Sequence, residues 1–90
     1  MPYIKQEDRE LFKRVLKEFE QIAHLGGHEL PAGHLNYLIS SIIKSTLGSN
    51  PNYARFNEII GMLECCKLEL YRRMVVPYEE KKANVNGDVY

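Results

Sequence analysis

Residues 47–56 read Leu47-Gly48-Ser49-Asn50-Pro51-Asn52-Tyr53-Ala54-Arg55-Phe56. Gly48 suits the left-handed position just past a helix end. Asn50 suits an N-cap, and Pro51 suits the first position of a new helix. One helix is therefore predicted to end at Leu47 and another to begin at Pro51. So short a connection predicts that the two are antiparallel neighbours.

Upstream of this break, Leu35, Leu38, Ile39, Ile42, Ile43 and Leu47 recur at steps of three and four. That spacing predicts a helix starting near Pro31 to His34, although isoleucine by itself favours strands. Gly26-Gly27 end an earlier helix, expected over 6–23. Its apolar stripe is Leu11, Phe12, Val15, Leu16, Phe19, Ile22 and Ala23, with Glu7, Asp8 and Glu10 at the positive end of the helix dipole. Downstream, a long helix is expected from Pro51 to Val76, where Pro77 should stop it. Tyr78 to Tyr90 reads as a polar tail that docks loosely or on a partner.

The expected fold is thus all-α: three helices, the last one long and paired in an antiparallel helical hairpin, followed by the tail over 78–90. With 90 residues, one domain is expected, spanning 1–90. Such a domain buries only a modest core, which makes a helical dimer a natural remedy.

Twelve basic residues cancel twelve acidic ones. Neutrality argues against nucleic acid as a partner and against charge-driven membrane binding. No stretch approaches the ~18 apolar residues of a spanning helix, and the N-terminus lacks an apolar run of signal-peptide length. The two cysteines, Cys65 and Cys66, are adjacent, which rules out a relaxed bridge between them. A reducing cytoplasm is the expected compartment.

The long helix carries most of the functional information. On a wheel of ~100° per residue, Phe56, Ile59, Ile60, Leu63, Leu70 and Met74 share one face. Lys67 falls inside it, and Glu64, three residues earlier, is placed to pair with it. A lysine among apolar side chains is costly unless paired, so one expectation is that its stem packs on the apolar face while its ammonium reaches out to Glu64. A ligand or partner pocket of Asn57, Glu64, Lys67 and Tyr71 is the other. Glu69 is spaced to pair with Arg72 and Arg73, which predicts a solvated ion-pair face; the alternative is a small anion site of Arg72-Arg73 with Lys81-Lys82. Met62, Cys65 and Val76 lie on the opposite face, and Gly61 and Cys65 are small enough for a second helix to approach there. Cys66 is expected to be a small core residue, with Cys65 more exposed. Neither cysteine has the neighbouring base or helix end that lowers a thiol pKa. His24, His28 and His34 match no metal-ligand spacing, so no metal and no cofactor is expected.

Several segments are familiar as a set: Met1-Pro2-Tyr3-Ile4, Leu35-Asn36-Tyr37-Leu38-Ile39, Tyr53 to Cys65, Lys67 to Arg73, Pro77-Tyr78-Glu79 and the closing Asn86-Gly87-Asp88-Val89-Tyr90. Together they resemble a small uncharacterised family of bacteria, archaea and their phages. The resemblance covers nearly the whole chain and implies that the C-terminal tail belongs to the domain. It implies no activity. A more distant similarity is to all-helical nucleotide pyrophosphohydrolases of the MazG type, which implies magnesium held by acidic pairs on neighbouring helices. Glu7 and Glu10 have one suitable spacing, and Glu58, Glu64 and Glu69 lie on a later helix. The closing glutamate and aspartate, three residues apart, are absent. The leading expectation is therefore a non-enzymatic, dimeric interaction module, with the MazG-like hydrolase as the alternative.

Overall fold

In the computed structural model, residues 2–24 and 29–90 are described, and among them every regular element is helical. The first helical run comprises α1 (Gln6–Arg9), a tight 3₁₀ turn (Glu10–Phe12) and α2 (Lys13–Ala23). The second is α3 (Ala32–Leu47). The third comprises α4 (Tyr53–Leu70), a wide π-turn (Tyr71–Val75) and α5 (Val76–Asn86). The chain divides into two units, Tyr3–Asn52 and the part built on Tyr53–Tyr90. The antiparallel pairing expected around Gly48 would be a relation between these two units.

In the first unit, Arg9 Nε donates to the Ile4 carbonyl at 3.0 Å and ties the entering segment to α1. Pro31 stands before α3 in an extended conformation, and the Leu35 N–H reaches its carbonyl at 3.0 Å. The isoleucine-rich α3 is helical, as its three- and four-residue spacing predicts, and its hydroxyls are satisfied locally. Ser41 donates to the Tyr37 carbonyl and Ser45 to the Ser41 carbonyl, at 2.8 and 3.0 Å. Ser40 donates to Asn36 Oδ1 at 2.9 Å. These bonds leave the polar side of α3 with little demand for other partners. Val15, Phe19 and Ile22 of α2 face Leu35, Leu38 and Ile42 of α3 across an open apolar groove of about 720 Å³. Gly48 then takes φ +73°, a value that costs any other residue strain.

The second unit differs from expectation at both ends of its helix. The helix begins at Tyr53, two residues after Pro51, a shift within the usual fraying of helix starts. It also does not stop at Val76 but continues through Pro77 to Asn86. The cause is the turn that precedes the proline. There the Val76 N–H bonds the Tyr71 carbonyl, five residues back rather than four. In an unbroken α-helix the proline ring would strike the carbonyl four residues earlier. The wider turn displaces those carbonyls, and Pro77 enters the first turn of α5, where its missing N–H is not needed. Residues 53–86 thus form one helical rod about 50 Å long. It ends at Gly87, which takes φ +95° while its N–H bonds the Ala83 carbonyl at 2.9 Å.

Among the described residues, no helix is long and apolar enough to cross a membrane.

Candidate interaction surface

Helical spacing gathers the apolar residues of each run onto one side, but little covers them. Ile59, 8% exposed, is the one buried hydrophobic side chain among the described residues. On the same rod Ile60 is 65% exposed, Leu70 60% and Met74 65%. The first run shows the same pattern, with Leu11 79% exposed.

Lys67 Nζ lies 2.9 Å from Glu64 Oε1, so the spacing of three does bring the pair together. The pair is not in a core, however. Its side chains are 68% and 55% exposed, because the stripe around Lys67 is itself uncovered. An ion pair this wet contributes only a few tenths of a kcal/mol. Asn57, Glu64 and Tyr71 stand seven residues apart along the rod, about 10 Å from one to the next. One small ligand therefore cannot reach all three from a single helix. Tyr71 instead borders two open grooves. One, of about 420 Å³, lies beside Cys65, Leu68 and Val76. The other, of about 710 Å³, lies between α5 and the residues after Gly87, where the Tyr90 N–H donates to Asp88 Oδ1 at 3.0 Å.

Arg72, half of the expected anion site, is engaged. Its Nη2 donates to both oxygens of Glu69, at 3.1 and 3.0 Å. Arg73 follows it in the π-turn. Glu10 is likewise paired with Lys13 and Glu58 with Arg55. Carboxylates neutralised along one helix are not the converging set that a magnesium–phosphate site needs. Among the described residues, no group of three or more His, Cys, Asp or Glu side chains is placed to hold a metal. His28 lies outside the described residues. Cys65 and Cys66 are both exposed, and Cys66 Sγ contacts Met62 Sδ at 3.7 Å rather than entering a core.

Sequence reasoning missed Tyr78, Lys82 and Val85, which it assigned to the tail. They lie on α5, where Lys82 Nζ sits 5.6 Å from the centre of the Tyr78 ring. The available signal was their spacing of four, four and three after Met74.

Residues 1–89 match the family model described as Domain of unknown function (DUF6899). The chain belongs to the DUF6899 family. The match takes in α5 and all but the last residue of the tail, so these belong to the DUF6899 domain as the sequence resemblance implies. No curated protein and no solved structure matches the chain.

Proposed function

We propose that this DUF6899 protein is a non-enzymatic, self-associating helical module that works as a dimer. The supporting observation is its uncovered apolar surface. Along the rod Ile60 is 65% exposed, Leu70 60% and Met74 65%, with Leu63 beside them at 36%. A contiguous exposed apolar stripe of this kind marks an association surface. The two free thiols fit a reducing, cytoplasmic setting. No observation favours the MazG-like reading.

Light scattering across a dilution series tests the proposal. The expected result is a mass twice the 10.5 kDa of the chain, falling only at high dilution. A single-chain mass at every concentration overturns it.

A further inference from the structure

The seam of the proposed dimer follows from a repeat along the rod and from the π-turn that interrupts it. Starting at Tyr53, the apolar positions run Tyr53, Phe56, Ile60, Leu63, Lys67, Leu70 and Met74. The steps alternate three and four, which is the heptad pattern of a coiled coil. Tyr53, Ile60, Lys67 and Met74 occupy its a positions, and Phe56, Leu63 and Leu70 its d positions. After Met74 a strict repeat would select Pro77, Lys81 and Asn84, and the seam would die. The π-turn at Tyr71–Val75 contains one extra residue, so each later residue takes the place its predecessor would have held. The seam then continues through Tyr78 at d, Lys82 at a and Val85 at d. The placement of Lys82 over the Tyr78 ring puts these two on one side of α5. Sequence and backbone therefore agree: the repeat carries one surplus residue, and the π-turn absorbs it.

We infer that residues 53–86 of two copies pair side by side, parallel and in register, along this seam. The inference rests on the dimeric reading above and names its interface. The occupant is a second copy because the one pair of charges that the repeat sets opposite each other is self-complementary. Arg73 falls at g and Glu79 at the e position that follows it. Parallel helices set g of one against e of the other, which brings Arg73 of each copy beside Glu79 of its mate. An antiparallel pair would set e against e and g against g, which would part Arg73 from Glu79. Ile60 at a between leucine or aromatic d positions fits two strands, and a lysine at a fixes register at a cost in stability. Lys67 and Lys82 hold such positions here, the charge of Lys67 already met by Glu64 at 2.9 Å.

The test measures the dimer dissociation constant of the full chain by sedimentation. Leu63→Glu is expected to raise it by a hundredfold or more, while Leu68→Glu, away from the seam on the same helix, leaves it within about threefold. Exposed changes guard against simple misfolding. Arg73→Glu or Glu79→Arg alone should weaken the dimer roughly tenfold, from two symmetric contacts of under 1 kcal/mol each, and the double swap should restore it. Leu70→Cys, with Cys65→Ser and Cys66→Ser, should cross-link two copies in mild oxidant, since d positions face each other in parallel pairs. A parent chain that is monomeric throughout overturns the dimeric reading itself. A dimer indifferent to Leu63→Glu but broken by Leu68→Glu overturns the seam alone. A seam-dependent dimer with no cross-link and no charge rescue overturns the parallel arrangement.

Discussion

The two units of this chain are made from the same material and solve different problems. Tyr3–Asn52 holds two amphipathic helical runs, and Phe19 and Leu38, on opposite walls of their shared groove, are each half-buried. The unit built on Tyr53–Tyr90 holds one rod, and a lone helix has no second element in its own unit to cover a stripe. Yet the rod carries apolar residues over almost its full length. Most helical stability in proteins comes from packing an apolar face rather than from intrinsic propensity. The first unit can supply part of that packing for itself, whereas the rod needs cover from outside its unit. The contrast favours the rod as the association surface proposed above, and it can be broken by equivalent changes in the two regions.

The largest expected difference comes from shortening a leucine. Leu63→Ala removes a d-position side chain that a partner would bury completely, which costs roughly 2–5 kcal/mol. Leu11→Ala removes one that is 79% exposed, and it should change stability by less than about 0.5 kcal/mol. Urea midpoints at one fixed protein concentration measure both. Equal small losses would mean that nothing covers the rod and that the two regions are alike.

A change of intermediate size probes the π-turn. Deleting Val75 removes the surplus residue, so an ordinary α-helix would then keep Tyr78, Lys82 and Val85 on the seam. The proline, however, would sit inside an unbroken helix, at a cost of about 3 kcal/mol. The deletion alone should therefore destabilise the dimer by that amount, and adding Pro77→Ala should recover most of it. Circular dichroism and urea unfolding read both variants. If the deletion alone is harmless, the turn does not serve to accommodate the proline.

This turn also marks where local reading fails. The three runs and most of their boundaries were legible, because steps of three and four, Pro31 and Gly48 each act within a few residues. The pairing of Glu64 with Lys67 was legible for the same reason. Pro77 was read as a stop because propensity considers only its immediate neighbours. Its tolerance depends on a hydrogen-bond shift begun six residues earlier at Tyr71. Burial was the other failure. A wheel shows which side chains share a face but not what covers that face, so Cys66 was assigned to a core, whereas it is exposed.

The smallest effect separates the two faces of the rod. Gly61 lies off the seam, on the side of Met62 and Cys65 where small residues first suggested a close helix approach. A Cβ added there meets nothing within 4 Å, and its backbone is ordinary right-handed helix. Replacing a mid-helix glycine by alanine in open space should stabilise by roughly 0.5–1 kcal/mol, through the lower entropy of the unfolded chain. If a second helix instead packed against Gly61, the new methyl would meet its backbone, and the same substitution would destabilise the dimer. The sign of Gly61→Ala, from the urea midpoint above the dissociation constant, therefore decides which face meets the partner. A gain leaves that face in water and keeps the Phe56–Val85 seam as the interface, whereas a loss moves the interface to Met62, Cys65 and Val76.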